Sequence, residues 1–300
     1  GLPVIIKARS GGGGKGMRLV EDMDDLKRQF DSARKEAQNA FGDSGVYIEK
    51  YIKSPRHIEV QLMADEHGNI IHLGARDCSL QMNHQKVIEE APPEGVDQET
   101  LDRLYETSVR AAKSVSYTSV GTIEYLLDQD GSYYFMEMNT RIQVEHPITE
   151  MVTGIDIVRD QVLIACGERL AYKQEDILIR GHAIECRINA YDSDNNFLPS
   201  VGKIQALNIP GGYGVRVDSA IYQGYEVLPF YDSMLAKVIS YGRDRKEAIR
   251  IMNRALEEFV VEGVKTNIGF NLKLINDPVF IENKYDTSYL ERSIDDTRPL

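Results

Sequence analysis

The chain has 300 residues, of which 42% are apolar, with 35 Lys+Arg against 47 Asp+Glu and a formal charge of −12. That length supports a substantial core and about two domains, and the acidic balance argues against a nucleic-acid backbone or an anionic membrane surface as the main partner. The longest apolar run, Val162 to Cys166, falls far short of the roughly 20 residues that a membrane span needs.

Cys78, Cys166 and Cys186 have no C-x-x-C spacing, which speaks against a disulfide framework or a structural zinc site and for a reducing compartment, the cytoplasm. Gly1 is followed at once by Leu-Pro-Val-Ile-Ile with no charged leader, so the chain reads as an excised piece. Pro3 to Ala8 is a short buried strand, with Val4, Ile5 and Ile6 contiguous and β-branched, and it breaks into Ser10-Gly11-Gly12-Gly13-Gly14-Lys15-Gly16. Leu26, Phe30, Ala33, Ala37 and Phe41 recur at helical spacing over Asp24 to Phe41, and Gly42 supplies the C-cap. Val46 to Tyr51, Ile58 to Met63 and Asn69 to Leu73 are strand-like and read together as an antiparallel meander. A helix is expected over Asp97 to Val115, with Leu101, Leu104, Ser108, Val109 and Ala112 inward. Strands follow at Gly121 to Leu127 and Tyr133 to Met138, then a helix from Ile155 to Cys166 ended by Gly167. After Gly181 come short strands with Gly-rich turns, a helix over Asp244 to Phe259 and another near Asn267 to Ile275. Hairpin-connected strands with interspersed helices predict an α+β fold.

The most informative geometry lies between Glu124 and Asn139. If Asp130-Gly131 is a two-residue hairpin turn, Glu124 stands directly opposite Glu137, and period-2 alternation puts Glu137 and Asn139 on one face, with Tyr134, Met136 and Met138 on the other. Facing Cβ atoms are about 4.5–5.5 Å apart and paired like charges destabilise a sheet. A divalent cation, Mg²⁺ or Mn²⁺, held by Glu124, Glu137 and the Asn139 carbonyl would neutralise them and leave positions for phosphate oxygens. The plainer reading is a solvated strand face with a coincidental acid pair.

The glycine run can turn successive N–H groups toward an anion, although Met17 after Gly16 departs from a Walker A loop, and a flexible turn explains the run equally well. Lys7, embedded among Val and Ile, needs an anionic partner, which a nucleotide phosphate would supply. In Glu137 to Pro147, Arg141 offers bidentate anion recognition and Glu145 a general base. His84 and Lys86 form another polar knot. His146 and His182 read as packed, hydrogen-bonded side chains.

Taken together, Lys7 to Met17, Arg76-Asp77-Cys78-Ser79, His84-Gln85-Lys86, Glu137 to Pro147, His182 to Ala190 and Tyr231-Asp232-Ser233-Met234 resemble biotin carboxylase, the ATP-grasp component of acetyl-CoA carboxylase and its relatives. The likeness runs from Leu2 to about Leu290. It implies an ATP-grasp fold whose glycine-rich lid occupies residues 1–51 in part, followed at 52–297 by the ATP-grasp core and a C-terminal biotin carboxylase domain. It implies a ligase that uses ATP and bicarbonate to form carboxyphosphate and passes the carboxyl group to biotin on a carrier protein. Its partners would be the biotin carboxyl carrier protein and a carboxyltransferase, with a homodimer as the common assembly. By position, Lys7, Gly12, Gly13, Gly14, Glu49, Lys50, His57, Gln81 and His84 would serve ATP. Glu124, Glu137 and Asn139 match the metal positions, and Lys86, Arg141, Gln143 and Val144 the bicarbonate pocket. Glu145 matches the base that deprotonates bicarbonate, and Arg187 the residue that steadies the biotin enolate.

The family normally begins with a further domain, which has no counterpart before Gly1. It usually carries a glutamate at the position of Ala75 and two arginines at Met82 and Asn83, so the anion pocket would have less positive field here. Two other functions fit some of the motifs: an ATP-grasp ligase for a different carboxylate, and a nucleotide-binding module that does not turn over.

Overall fold

The computed structural model describes residues 1–11, 17–82, 85–193 and 195–295, with the side chains of residues 294 and 295 left aside. Gly12, Gly13, Gly14 and His84, all assigned to ATP from the sequence, lie outside the described residues, as does Asn83.

Strands β1 (Val4–Ala8), β2 (Met17–Val20) and β3 (Val46–Lys50) form a small antiparallel sheet in the order β2-β1-β3. Helix α1 (Met23–Phe41) covers it, burying Ala33 and Ala37 near Ile6 and Val20. The Asp22 side chain accepts from Asp24 N at its start, and Gly42 ends it at φ +70°, a conformation that costs glycine little. β3 therefore belongs to this sheet and pairs with β1, not with the meander expected from the sequence. Its apolar residues could not indicate which sheet would receive them.

The second sheet contains, among the described residues, eight strands: β4 (Arg56–Ala64), β5 (Ile70–Met82), β6 (Gln85–Ala91), β7 (Ser119–Leu127), β8 (Tyr133–Asn139), β9 (His182–Asn189), β10 (Val215–Ser219) and β11 (Met234–Gly242). Their spatial order is β10-β11-β9-β6-β5-β4-β7-β8, every pairing antiparallel. Helix α2 (Gln98–Ser114), capped by Asp97, lays Leu101, Leu104, Tyr105 and Ala112 on Ile58, Val60, Leu62, Ile123 and Tyr125. Val109 sits at the edge of that cluster, half-buried.

The opposite face is covered by α3 (His146–Thr153) and α4 (Ile157–Ala165). The polar density of Glu145-His146-Pro147 concealed α3 from the periodicity, although Pro147 at its first turn and Gly154 at φ +73° are ordinary helix-boundary signals. Helices α5 (Arg245–Glu258) and α6 (Ile268–Ile275) pack with Ile88, Ile184, Cys186 and Val238 in a further core cluster. No helix among the described residues is long and apolar enough to cross a membrane.

The β7–β8 register carries both a correction and an agreement. Asp128 N bonds Ser132 O at 2.8 Å around a three-residue turn, Gln129 to Gly131, with Gly131 at φ +79°; the predicted two-residue turn does not form. Tyr125 consequently faces Phe135, one step away from the expected register. A bulge at Met136 restores the step, and Glu124 faces Glu137 after all. Met136, expected on the far face, is turned by the bulge into the cleft described next.

Candidate active site

A cleft of about 540 Å³ opens between the small sheet and the polar face of the large one. It is lined by Lys7, His57, Gln81, Lys86, Glu124, Glu137, Asn139, Arg141, Gln143, Val144, Glu145 and Arg187, all singled out from the sequence. Glu49 and Lys50 do not line it. The Glu49 carboxylate instead takes Lys7 Nζ at 2.5 Å, as a diagonal β1–β3 neighbour, so the embedded lysine has a partner within its own sheet. Lys50 Nζ donates to the Tyr134 hydroxyl at 2.6 Å, which ties β3 to β8.

On β4, His57, Glu59 and Gln61 alternate with Ile58, Val60 and Leu62, yet all six are buried. The apolar set meets α2, which leaves the polar set facing the cleft side. Glu59 stands opposite Glu124 on β7, and two buried carboxylates on adjacent strands need cations. Lys86 supplies one. Its three N–H bonds go to Glu59 at 2.6 Å, Glu124 at 3.0 Å and Glu145 at 2.5 Å, so its ammonium is fully used by carboxylates. Burial alone would lower the Lys86 pKa, but its anionic neighbours overcome this and raise it well above the usual lysine value.

Arg76 supplies the other cation. It is wholly buried, and its five N–H donors reach five acceptors: Glu59, Gln61, Thr149, Thr122 and Gln143. Burial pushes the Glu59 carboxyl up, while Arg76 and Lys86 bring it down to about 2. Gln143, with its carbonyl held by Arg76, donates Nε2 to Glu124 at 2.8 Å. Glu124 is likewise held well below its ordinary value: burial opposes ionisation, but contact with His57 and the charge of Lys86 prevail. His57 Nε2 lies 3.2 Å from Glu124 Oε2, and its Nδ1 meets Gln81 Nε2 at 2.6 Å.

The protein's own lysine therefore neutralises Glu124, a role the sequence had left to a metal. Glu137 differs. It is exposed, and among the described residues it forms no ion pair; Asn139 Nδ2 spans the two acids, 3.1 Å from Glu124 and 3.2 Å from Glu137. Turning that amide over would present its oxygen beside both carboxylates, giving a set of hard oxygen ligands that fits Mg²⁺ or Mn²⁺. The residues present thus suit a divalent cation.

Glu145, 2% exposed, has Lys86 on one oxygen and Arg187 NH2 at 3.0 Å on the other. Arg187 Nε donates to Glu89 at 2.6 Å. Burial disfavours the guanidinium charge, but Glu89 and Glu145 more than restore it and push the Arg187 pKa up. Val144 O accepts from Lys237 Nζ at 2.7 Å, and Arg141 is exposed at the cleft with NH1 on Ile142 O at 3.2 Å. His182 bonds the buried Glu90 at 2.9 Å, and His146 Nδ1 lies 2.7 Å from Gln143 O, both packed as expected.

Sequence reasoning gave no role to Glu59, Arg76 or Glu89. The alternation of Glu59 and Gln61 within an apolar strand was a readable signal for the first. Arg76 stood in a family motif without a role and Glu89 had no signal, because their importance comes from partners far away in the chain.

Residues 1–173 match the family model described as carbamoyl-phosphate synthase L chain, ATP binding domain, and residues 185–292 the biotin carboxylase C-terminal domain. The chain belongs to the biotin carboxylase family. The biotin carboxylase of Nostoc sp. is 52% identical over 291 residues, covering 97% of this chain and 65% of the relative. A biotin carboxylase from Campylobacter jejuni, solved as a β,γ-ATP complex, superposes with a TM-score of 0.93 at 51% identity, covering 97% of this chain and 65% of the other. The biotin carboxylase domain dimer of Hydrogenobacter thermophilus 2-oxoglutarate carboxylase, solved with MgADP, ADP and bicarbonate, does so at 0.93 and 46% identity, with 100% and 66% coverage. The fold is the α+β, ATP-grasp arrangement that the sequence motifs implied. The chain spans about 65% of the length of the curated biotin carboxylases it matches.

Proposed function

We propose that this chain carries the chemistry of a biotin carboxylase, a ligase that spends ATP to activate bicarbonate as carboxyphosphate and transfers the carboxyl group to N1 of biotin on a carrier protein. The single observation that carries this reading is the Lys86–Glu145–Arg187 chain, set in the same cleft as Glu124, Glu137 and Asn139. One end of the cleft has oxygen ligands suited to a metal nucleotide, and the other has a carboxylate held between two cations.

Glu137, Asn139 and Glu124 would hold Mg²⁺ or Mn²⁺, which when bound supplies charge neutralisation at the phosphates. Lys7, His57, Gln81 and the residues outside the description, Gly12, Gly13, Gly14 and His84, would serve the nucleotide, with Glu49 and Lys50 as supports at the edge of the lid. Bicarbonate would compete with Glu145 for the donors of Lys86 and meet Arg141, Gln143 and the Val144 backbone. Glu145, freed from one cation, would then take the bicarbonate proton. Arg187 would direct its outer nitrogen to the ureido oxygen of biotin, where negative charge develops when N1 loses its proton.

Residues 1–51 act in this reading as part of a lid, and 52–297 as the core with the C-terminal domain. The partners are the biotin carboxyl carrier protein, a carboxyltransferase and a second copy of the chain in a homodimer, and the location is the cytoplasm. The unpaired Cys78, Cys166 and Cys186 suit a reducing compartment.

Bicarbonate-dependent ATP hydrolysis tests the reading. Stimulation by free biotin is the expected outcome. Stimulation by another carboxylic acid instead would assign a different ATP-grasp ligase, and ATP binding without turnover would leave a nucleotide-binding module.

A further inference from the structure

Glu89 on β6 and Glu185 on β9 face each other directly across the ladder, and both are fully buried. Facing Cβ atoms in such a pair are about 4.5–5.5 Å apart, so the carboxyl tips are within reach of each other. Glu89 uses one oxygen for Arg187 Nε at 2.6 Å; its other oxygen and both oxygens of Glu185 have no hydrogen-bond partner among the described residues. Buried polar atoms left unmatched in this way call for a proton, because a neutral carboxyl both donates and avoids the cost of a second buried charge.

The charged groups that bear on Glu185 are Glu89 from β6, Lys237 from β11, Arg187 from its own strand, and Glu145. Lys237 donates to Val144 O at 2.7 Å and lies 3.7 Å from Asp218, and neither Glu185 oxygen takes a hydrogen bond from it. Helix α3, laid over this face, adds His146 and Glu150, which meet Gln143 O at 2.7 Å and Arg216 at 2.6 Å. No donor on these elements bonds Glu185.

We propose that Glu185 keeps its proton and donates it to the free oxygen of Glu89, making the two a positioning pair that holds Arg187 from beneath with a single negative charge. This deepens the biotin carboxylase reading and rests on it. Burial and the facing acid push the Glu185 carboxyl well above its ordinary value, and burial raises the Glu89 carboxyl as well. With the proton in place, Glu89 fixes Nε and the outer NH2 remains available to Glu145 or to a ligand oxyanion. With the proton lost, two charges lie under Arg187 and compete with the ligand for it.

The test compares the full chain with Glu185→Gln. In the infrared, wild type at neutral pH has a protonated-carboxyl band that is absent from E185Q and that disappears from wild type on alkalinisation. In steady-state kinetics, the KM for free biotin in wild type rises about fivefold as the pair ionises, whereas in E185Q that rise is absent. An infrared difference spectrum without the band overturns the shared proton, and an equal KM rise in both proteins overturns the positioning role. If E185Q does not fold, Glu89→Gln serves: removing the facing charge moves loss of the band to lower pH, and an unmoved titration overturns the pair. If biotin is not a substrate at all, the kinetic arm fails with the biotin carboxylase reading while the infrared arm still decides the proton.

Discussion

The Nε of Arg76 donates to one oxygen of Glu59 at 2.5 Å, and the other oxygen of that carboxylate holds Lys86 Nζ at 2.6 Å. A residue with no access to the cleft thereby fixes one that lines it. Glu59→Gln removes the countercharge of a wholly buried guanidinium, and breaking one partner of a buried pair costs about 3–5 kcal/mol. The urea midpoint should fall accordingly at unchanged m-value, with a raised KM for bicarbonate because Lys86 loses one of its three anchors. An unchanged midpoint would show that Gln61, Thr122, Thr149 and Gln143 suffice to hold Arg76.

Glu137 is exposed and among the described residues meets only Asn139 in the hydrogen-bond network, so Glu137→Gln should leave the melting temperature as it is. Its effect is expected on the proposed metal site. Calorimetric titration with ATP should show about tenfold weaker binding in the presence of Mg²⁺ and no change with the metal chelated. Equal affinities under both conditions would remove Glu137 from the metal site.

Much of this site was legible in the sequence because its chemistry sits on strands, where period-2 alternation assigns faces. Glu124 opposite Glu137 is the instructive case: the predicted turn was one residue short, and a bulge at Met136 compensated for it. Bulges are invisible to alternation, and for the same reason Met136 was placed on the wrong face. Lys86 and Glu145 were chosen from their motifs, but Glu59, which shares a polar face with His57 and Gln61, carries no local sign that it joins Lys86 to Arg76. The pairing of β3 with β1 was beyond reach because a strand's composition does not name its neighbour. Tertiary contacts at long sequence separation decided what local pattern could not.

Acid should destabilise the protein through Glu90. This buried carboxylate accepts from Arg245 Nε and NH2 at 2.7 and 3.0 Å, from His182 at 2.9 Å and from the Tyr285 hydroxyl. Burial pushes its pKa up, but His182 and Arg245 bring it from 4.5 down to about 2. The folded value lies below the unfolded one, so the unfolded chain binds more protons in that window. Stability contributed by Glu90 is complete above 4.5 and is lost as pH falls toward about 2, about 3 kcal/mol in all. Urea midpoints measured from neutral to acid pH should fall in that range, and Glu90→Gln should flatten the slope whatever it does to stability at neutral pH. A variant with the wild-type slope would place the acid response elsewhere.

The contact between Lys50 and Tyr134 joins the small sheet to the edge strand β8 through a 2.6 Å hydrogen bond, with the ammonium 4.5 Å from the ring centroid. Both partners are near solvent, so each component is weak and screened by salt. Tyr134→Phe removes the hydroxyl and keeps the ring, while Tyr134→Ala removes both. Because Lys7 and Glu49 bond within the small sheet, its internal structure should survive either change. Its attachment should not. Amide exchange in β3 should quicken by about two- to fivefold in the Phe variant and more in the Ala variant, with the gap narrowing at high salt. Exchange at the wild-type rate in both variants would mean that this bridge does not restrain the small sheet, and the search for its latch would move to the segments flanking β3.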